Sequence, residues 1–406
     1  MIFDSESVFE DNVITVLKQH GWKDGVLRYP TEQDLLDNWK GILYRNNNDI
    51  DRLGKYPLTD GEMAQIIEQI ETLRTPLALN SFVNGRTVSI TRDNKEDVAH
   101  FGKEISLYIY DRKEIAGGKS TYQIAQQPVY PAKNKMLNSR RGDLVLLING
   151  MPLIHIELKK SGIPVSQATN QIEKYTHEGV FTGLFRLVQI FVAMNPDDAV
   201  YFANPGVDKF NPSYYFHWAD YNNEPICGGQ NPGKDEWKLF IGGTSGTAGL
   251  LSIPMAHQLI GFYTIADSAD GCLKVLRSYQ YIAANAISDV VRKCDWEQRP
   301  TTPGRPGGYV WHTTGSGKTM TSFKSAQLIA DSHDADKVVF LMDRIELGTQ
   351  SLKEYRSFAD SETEVQGTEN TGVLRDKLNS TNVNDTLIVT SIQKMSNVKA
   401  GERGVT

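Results

Sequence analysis

The stretch RGDLVLLINGMPLIHIELKK, residues 141–160, decides the fold of the first part of the chain. Two short apolar runs rich in branched residues, 143–148 and 152–159, stand on either side of Asn149 and Gly150. Asn-Gly between two such runs is the strongest local signal for a tight turn between antiparallel strands. The stretch therefore predicts a β-hairpin.

One face of the second predicted strand carries ionisable side chains. Because side chains alternate between the two faces of a strand, His155, Glu157 and Lys159 lie together. Asp143, at the start of the first strand, adds a second carboxylate. Two carboxylates beside an ammonium group suit a divalent metal ion and a water molecule, as phosphodiester hydrolysis requires. We expect Asp143 and Glu157 to bind Mg²⁺ and Lys159 to orient the water or stabilise the developing charge. A solvated strand face with a cross-strand ion pair is the alternative interpretation.

The metal site constrains the register of the hairpin. With a two-residue turn and a regular ladder, Ile148 would pair with Met151, and the Asp143 side chain would point away from that of Glu157. We therefore predict a loop with an odd number of residues, three or five, in which Gly150 takes the left-handed conformation.

Four residues of the hairpin match a nuclease signature. Asp143 is followed after thirteen residues by Glu157, Leu158 and Lys159, which resembles the D…ExK pattern of PD-(D/E)xK nucleases. Gly142 stands where that pattern has its leading Pro. The resemblance implies an α/β fold with a restriction-endonuclease-like mixed sheet and flanking helices. It also implies DNA cleavage with Asp143, Glu157 and Lys159 as catalytic residues.

A helix is predicted downstream over residues 166–178, with Ser166 as N-cap and Gly179 just beyond its end. Gln171 and Tyr175 are four residues apart, so they share one face of this helix. Gln-x-x-x-Tyr after D…ExK resembles the additional motif of the RecB-like branch of these nucleases, which implies a role in DNA placement. An exposed amide and phenol without that role is the alternative.

An amphipathic helix is predicted over residues 4–22, with Ser5 as N-cap and Gly21 at its end. Its opening resembles the N-termini of restriction subunits, in which a helical Glu supports the metal site. Glu6 or Glu10 could have this role, and we take Glu10 as the candidate metal ligand. A solvent-facing acid that complements the helix dipole is the alternative.

The amino-acid composition indicates the compartment of the protein and limits how it could bind nucleic acid. The 406 residues carry a net charge of -6, which argues against a generally basic nucleic-acid coat but allows a local basic groove. Three cysteines are too few for a disulfide framework or a zinc site, which favours a reducing, cytoplasmic setting. We expect no signal peptide, and residues 241–266 are interpreted as a loop and a helix, not a membrane span. Basic residues cluster around the hairpin: Lys133, Lys135, Arg140, Arg141, Lys159 and Lys160.

The other patterns place the hairpin inside a larger α/β unit. Residues 31–75 show helical spacing, residues 83–129 alternate like strands, and residues 186–195 predict a third core strand. Residues 204–249 are rich in Asn, Pro, Gly and aromatic residues, as is typical of a domain edge. We expect a domain boundary near residue 250.

A second motif, YVWHTTGSGKT, occupies residues 309–319 and combines a short apolar run, a Gly-rich loop and the start of a helix. Backbone N–H groups at such a helix N-terminus cradle phosphates. The motif resembles a Walker A loop in the form found in superfamily 2 helicases, with His312 in place of the first Gly. The resemblance implies that Lys318 reaches the β- and γ-phosphates of ATP and that Thr319 binds its Mg²⁺. The implied ATP-binding loop residues are Thr314, Gly315, Ser316, Gly317, Lys318 and Thr319.

A helix predicted over residues 273–293 precedes this loop. Its Arg277, Tyr279, Gln280 and Ala283 resemble the R-x-Y-Q-x-x-A element of type I restriction motor subunits, which implies that Arg277 and Gln280 belong to the ATP site. A Gln amide can pair with N6 and N7 of adenine, so Gln280 is the expected adenine reader.

Two buried-type strands, 337–343 and 386–391, flank a helical stretch over residues 346–358, which predicts a parallel RecA-like sheet. Further residues resemble motifs Ia and Ib of the same motor family and are expected along the DNA track: Asp343, Arg344, Leu347, Gln350, Thr390 and Gln393.

The order of these modules resembles the restriction (R) subunit of type I restriction-modification enzymes. The resemblance implies a nuclease domain over residues 1–250 and an incomplete first RecA-like helicase lobe over residues 251–406. The implied activity is site-specific DNA cleavage coupled to ATP-dependent translocation, with Mg²⁺ and ATP as cofactors. The implied partners are duplex DNA and the modification and specificity subunits, with no membrane. No Asp-Glu box follows residues 387–395, so this chain alone is expected to hydrolyse little ATP.

Two alternatives remain open. One is a nuclease-helicase of DNA repair, which also combines these modules. The other is a catalytically degenerate scaffold that binds DNA and ATP, which metal-dependent nicking would exclude.

Overall fold

The computed structural model describes residues 2–115, 118–130, 140–207, 209–229, 235–293, 307–343, 345–359 and 364–398. The chain divides into two units: Met1–Thr264 with Gly271–Arg277, and Ile265–Asp270 with Ser278–Thr406. This division falls after the boundary expected near residue 250. Residues beyond 250 pack into the first unit, because the Trp22 indole donates to the Leu251 carbonyl oxygen at 2.6 Å and the Tyr110 hydroxyl to that of His257 at 2.8 Å.

The first unit contains both helices and strands. Its helices are α1 (Glu6–Gln19), α2 (Glu32–Asn46), α3 (Asp60–Thr72), α4 (Pro76–Asn84), α5 (Val165–His177), α6 (Glu236–Gly242) and α7 (Met255–Gly261). Its strands are β1 (Val26–Arg28), β2 (Thr87–Thr91), β3 (Glu104–Tyr108), β4 (Tyr122–Gln126), β5 (Val129–Tyr130), β6 (Arg140–Arg141), β7 (Leu144–Ile148), β8 (Met151–Leu158), β9 (Ile190–Met194) and β10 (Ala199–Ala203). The strands β11 (Thr264–Asp267) and β12 (Cys272–Val275) follow where the chain passes between the units.

One six-stranded sheet, in the order β1-β4-β7-β8-β9-β10, forms the centre of the first unit. Strand β1 runs parallel to β4 and β8 parallel to β9, whereas the other neighbours are antiparallel. Helix α5 packs on this sheet through Ala168 and Ile172, which lie in one buried cluster with Phe191. The predicted mixed sheet with flanking helices is confirmed.

The predicted hairpin is present, but its loop differs from the prediction. The turn has two residues, Asn149 and Gly150, both with positive φ, so Ile148 pairs with Met151. Two positive φ values match the twist of the flanking strands, which is why Asn-Gly favours this turn. The expected loop of three or five residues is therefore wrong.

A β-bulge restores the register that the carboxylates need. Leu147 pairs with Pro152 and Leu146 with Ile154, so Leu153 is an extra residue on β8. One inserted residue shifts the alternation of faces beyond it. Leu144 consequently pairs with Ile156, and continuing this register by one residue sets Asp143 opposite Glu157.

Local helix signals were mostly predicted correctly. Ser5 caps α1 by accepting a hydrogen bond from the Val8 N–H at 3.3 Å, as expected. Helix α5 begins at Val165 after Pro164, which has no side-chain cap, so Ser166 is not the N-cap. Gly179 follows the helix with a φ of 69°, as predicted.

Two element bounds differ from prediction because neighbouring segments take other forms. Residues 183–187 form a 3-10 helix, so the third core strand starts only at residue 190. The helix expected from residue 273 begins at residue 278, since residues 272–275 form β12.

The described residues of the second unit form five helices and a parallel sheet. The helices are α8 (Ser278–Lys293), α9 (Lys318–Ser332), α10 (Ile345–Phe358), α11 (Thr371–Asn379) and α12 (Ile392–Ser396). The strands are β13 (Val338–Met342), β14 (Val365–Gly367) and β15 (Leu387–Ser391). They are arranged in the order β13-β15-β14 and both pairs are parallel, which confirms the parallel sheet predicted from the two buried-type strands.

In the part of the chain that the structure describes, no helix combines the length and the apolar character needed to cross a membrane.

Candidate active site

The end of the hairpin opposite its turn brings the predicted catalytic side chains together. Glu157 is fully buried, and its Oε1 atom lies 3.5 Å from the ammonium nitrogen of Lys159. The same nitrogen lies 3.6 Å from Oε1 of Glu6 on α1. Asp143 accepts a hydrogen bond from the Leu158 N–H at 2.7 Å. Two carboxylates and one ammonium group thus meet at one point of the sheet.

The surroundings disfavour negative charge on both carboxyl groups. Burial raises the pKa of Glu157 to about 8, although the nearby Lys159 opposes this shift. Burial and then the neighbouring Glu157 raise the pKa of Asp143 well above its usual value. Among the described residues, neither carboxylate oxygen of Glu157 has a hydrogen-bond partner. A divalent cation would satisfy those oxygens and relieve the repulsion between the two acids, so the residues present fit such an ion.

The number of protein ligands indicates which kind of metal fits. Within the described ranges, no cluster of three or more His, Cys, Asp or Glu side chains has the arrangement of a metal centre. Asp143 and Glu157 would supply two carboxylate ligands. Two carboxylate ligands fit a hard divalent cation, which prefers oxygen ligands.

Glu10 on α1 belongs to the same neighbourhood. Its carboxylate is buried and accepts hydrogen bonds from the side-chain amides of Gln126 at 2.6 Å and Gln127 at 3.2 Å. Its burial raises its own pKa, and its charge contributes to the raised pKa of Asp143. No local sequence pattern indicated the two Gln residues, because they are more than a hundred residues from Glu10 along the chain.

Behind Glu157 lies a histidine for which the sequence suggested no role. His155 is fully buried, its Nδ1 atom is 2.9 Å from the Tyr130 hydroxyl, and its Nε2 atom is 3.4 Å from Oε2 of Glu157. Burial lowers the pKa of His155 to about 4, so the imidazole is neutral at pH 7. Burial also raises the pKa of Tyr130, which keeps its hydroxyl protonated.

The predicted Gln171 and Tyr175 pair is brought to the same sheet end. The Gln171 amide donates to the Tyr175 hydroxyl at 2.6 Å, and that hydroxyl donates to the Arg141 carbonyl oxygen at 2.9 Å. Burial raises the pKa of Tyr175 to about 12. The hydrogen bond from Tyr175 thus links helix α5 to the residues that immediately precede Asp143.

The predicted basic patch is only partly available. Arg140 forms two hydrogen bonds of 2.9 Å with Glu178, so its charge is paired. Arg141 is exposed, and Lys160 donates to the Asp4 carbonyl oxygen at 3.3 Å. Lys133 and Lys135 lie outside the described residues.

The Gly-rich loop of the second unit has the backbone of a phosphate-binding turn. Gly315 and Gly317 have φ values of 78° and 82°, and α9 begins directly after them at Lys318. The ammonium group of Lys318 is exposed and donates to the Thr313 carbonyl oxygen at 3.0 Å. The His312 ring contacts the Ser316 hydroxyl at 2.9 Å, so His312 closes the loop where the full pattern has Gly. Thr314 and Thr319 take their expected places in the loop and the first turn of α9.

The two residues predicted upstream of the loop are placed differently. Gln280 is buried against the loop, and its amide donates to the carbonyl oxygens of Ser316 at 3.3 Å and Gly317 at 3.4 Å. Arg277 belongs to the first unit, where its guanidinium lies 4.4 Å from the ring centre of Phe216.

The residues expected along a DNA track also differ in exposure. Gln393 is exposed and donates to the Asp343 carbonyl oxygen at 2.9 Å, and exposed Gln350 donates to Glu354 at 2.9 Å. Thr390 is buried, with its hydroxyl 2.7 Å from that of Thr368. Arg344 lies outside the described residues, and the structure describes no side chain for Leu347.

The fold and site define an α/β protein with a buried acidic centre in one unit and a Gly-rich loop at a helix N-terminus in the other. The sequence matches two families: "Type I restriction enzyme R protein N terminus" over residues 4–210 and "SWI2/SNF2 ATPase" over residues 279–405. The first match covers half of the chain, and the chain belongs to the family of type I restriction enzyme R proteins.

Several curated proteins are similar to this chain. A type I restriction enzyme endonuclease subunit of Staphylococcus saprophyticus is 32% identical over 404 residues, which are 98% of this chain and 37% of that protein. One of Staphylococcus aureus strain COL is 33% identical over 403 residues, which are 99% of this chain and 38% of that protein. The EcoprrI endonuclease subunit of Escherichia coli is 26% identical over 343 residues, which are 77% of this chain and 99% of that sequence. The chain thus spans little more than a third of the staphylococcal relatives.

Proposed function

We propose that the first unit is a PD-(D/E)xK nuclease domain that cleaves DNA in type I restriction, and that the second unit is part of the ATP-driven motor coupled to it. The observation that carries the proposal is the buried site of Asp143, Glu157 and Lys159, in which a bulge brings the two carboxylates onto one face. The similar proteins named above are all type I restriction enzyme endonuclease subunits, which supports the same activity.

The contacts of the buried site support a catalytic role for each of its side chains. Asp143 and Glu157 would hold a Mg²⁺ ion, with Glu10 beside them as a further acidic group. Mg²⁺ bound there would neutralise phosphate charge and lower the pKa of a water molecule. Lys159, only 8% exposed, adds a fixed positive charge next to Glu157 for the charge that develops on the phosphate. Gln171 and Tyr175 would place the DNA strand near Arg141.

The second unit would supply nucleotide binding. Lys318 and Thr319 stand at the N-terminus of α9, where backbone N–H groups bind phosphates, and would contact the phosphates of ATP and its Mg²⁺. Gln280 and Arg277 remain our candidates for the nucleotide, and Asp343, Arg344, Gln350, Thr390 and Gln393 remain candidates for the DNA track. We propose duplex DNA and the modification and specificity subunits as partners, and the cytoplasm as the compartment.

The test uses the full-length endonuclease subunit assembled with its modification and specificity subunits, ATP and Mg²⁺. Supercoiled, unmethylated plasmid is the substrate, and cleavage and ATP hydrolysis are measured in the same samples. Lys159→Ala is expected to slow cleavage by about 100- to 1000-fold, the loss found when one charge-stabilising group is removed. ATP hydrolysis should stay at the wild-type rate, because Lys159 and the loop lie in different units.

The adjacent Lys160 provides a matched control, since it has the same charge but contacts the Asp4 carbonyl oxygen instead of Glu157. Lys160→Ala should cleave like the wild type. Equal cleavage by the Lys159→Ala and Lys160→Ala proteins would overturn the catalytic role of Lys159. No cleavage by the wild-type assembly would overturn the nuclease assignment and leave a DNA- and ATP-binding scaffold. Cleavage without the modification and specificity subunits would instead indicate a repair nuclease-helicase.

A further inference from the structure

Tyr130 and His155 lie next to the proposed metal ligand Glu157. The Tyr130 hydroxyl is 2.9 Å from Nδ1 of His155, and Nε2 of the same ring is 3.4 Å from Oε2 of Glu157. His155 and Tyr130 are fully buried, as is Glu157. Within the described residues, neither His155 Nε2 nor the Glu157 oxygens have a hydrogen-bond partner. Buried polar atoms are rarely left without partners, so these unpaired atoms call for an explanation.

The hydrogen bonding selects one tautomer of His155. If the Tyr130 hydroxyl donates to Nδ1, the proton of the neutral ring resides on Nε2 and faces the Glu157 carboxylate. The other tautomer would turn a lone pair of Nε2 towards the carboxylate oxygens and leave the Tyr130 proton without this acceptor. The first arrangement satisfies Nδ1 and turns the Nε2 proton towards the Glu157 carboxylate.

The imidazole has little freedom to point elsewhere. Its centre lies 5.3 Å from that of the Phe181 ring and 6.0 Å from that of Phe191, and the Tyr130 ring is 4.6 Å from Phe185. A shift of a few tenths of an ångström would bring Nε2 and Oε2 within ordinary hydrogen-bond distance of about 3 Å.

Gly142 leaves the space that this pair occupies. A Cβ atom at position 142 would lie 2.5 Å from the Tyr130 hydroxyl oxygen and 2.8 Å from Cε1 of His155. Contacts that short do not occur for real Cβ atoms, so any other residue would displace the pair. This is the position at which the PD-(D/E)xK signature has Pro, and the histidine pair explains why this chain has Gly there.

We propose that Tyr130 and His155 are positioning residues that hold the Glu157 carboxylate in the orientation needed to bind the divalent metal. His155 lies 3.4 Å from Oε2 and Lys159 lies 3.5 Å from Oε1, so the two side chains would limit how the carboxylate can turn. Groups that orient a metal ligand in this way change metal affinity by about 10- to 100-fold when they are removed. The inference rests on the proposed metal-binding role of Glu157.

Calorimetric titration of the whole chain with Mn²⁺ tests this role without any cleavage assay. Asn and Gln are informative replacements for His155, because the Asn amide lies near the position of Nδ1 and the longer Gln side chain brings its N–H near that of Nε2. His155→Asn should weaken Mn²⁺ binding by about 10- to 100-fold, whereas His155→Gln should retain most of the affinity. Thermal unfolding without metal shows that each variant is folded.

Tyr130→Phe keeps the aromatic ring and removes only the hydroxyl group, so it tests the same chain of contacts with less risk to folding. It should weaken Mn²⁺ binding in the same direction. Wild-type affinity in both Tyr130→Phe and His155→Asn would overturn the inference. Equal losses in His155→Gln and His155→Asn would also overturn it, because packing alone would then explain the effect.

Glu157→Gln separates this inference from the proposed function. If the wild type binds no Mn²⁺, or if Glu157→Gln binds it equally well, the proposed metal site is wrong and the positioning role is wrong with it. If Glu157→Gln loses Mn²⁺ while His155→Asn and Tyr130→Phe keep it, only the positioning role is wrong.

Discussion

The two-residue turn of the hairpin can be tested by one substitution, Gly150→Ala. Gly150 has a φ of 84°, and an added Cβ would lie 2.9 Å from Cα and Cδ1 of Trp39 on α2. The left-handed conformation costs an Ala about 1–2 kcal/mol. Overpacking against Trp39 adds about 1–3 kcal/mol. We therefore expect Gly150→Ala to lower the free energy of unfolding of the first unit by about 2–5 kcal/mol.

Gly162→Ala is the matched control for this change. Gly162 has a φ of 81°, but nothing lies within 4 Å of its added Cβ. It should lose only the conformational part, about 1–2 kcal/mol. Any gain from restricting the unfolded chain is the same for both substitutions, so the difference between them isolates the contact with Trp39.

Urea unfolding followed by tryptophan fluorescence is the assay. Four tryptophans are fully buried among the described residues, Trp22, Trp39, Trp218 and Trp237, and all four belong to the first unit and report its unfolding. The change in midpoint multiplied by the slope gives the loss of stability. If Gly150→Ala costs no more than Gly162→Ala, the close packing of the turn against α2 is refuted.

Three further substitutions test the Gly-rich loop, the attachment of α5 and the space beside Tyr130. Lys318→Ala should weaken binding of a fluorescent ATP analogue at least about tenfold, because a hydrogen bond to a charged group contributes about 1.5–3 kcal/mol; unchanged binding would contradict the loop assignment. Tyr175→Phe should lower the unfolding free energy in urea by about 1–2 kcal/mol, because it breaks the buried hydrogen bond to the Arg141 carbonyl oxygen; an unaltered midpoint would contradict this. Gly142→Ala should weaken Mn²⁺ binding in calorimetry, because the new methyl group displaces the Tyr130 hydroxyl; wild-type affinity would show that the pair tolerates the change.

Features that depend on residues close in sequence were predictable. Ser5 at the start of α1 and Gly179 at the end of α5 act through bonds and backbone angles within one helical turn. The Gly-rich loop before Lys318 is likewise local. Alternation along β8 correctly placed Glu157 and Lys159 on one face, since this depends only on the geometry of a strand.

The hairpin loop was predicted wrongly because two separate insertions can give the same register. Sequence reasoning placed the odd residue in the turn, whereas the structure places it at Leu153, which is fully buried. The turn has the two residues that Asn-Gly favours locally, and Gly150 also lies close to Trp39, a residue more than a hundred positions away. No local pattern contains that contact.

The supporting groups of the site were not predictable for the same reason. Tyr130 contacts His155 from another strand, and Gln126 and Gln127 reach Glu10 across more than a hundred residues. Arg140 was counted in the basic cluster around the hairpin, but its charge is paired with Glu178, which no spacing in the sequence links to it. Such partners become visible only once the sheet and α5 are assembled.

Anomalous diffraction from crystals of the chain soaked in Mn²⁺ tests the proposed metal site most directly. Mn²⁺ prefers the same oxygen ligands as Mg²⁺ and is visible by its anomalous signal. We expect a strong peak in contact with the carboxylates of both Asp143 and Glu157, and the loss of that peak in Glu157→Gln crystals. A wild-type map with no peak between these two side chains, or a peak that persists in Glu157→Gln, would contradict it.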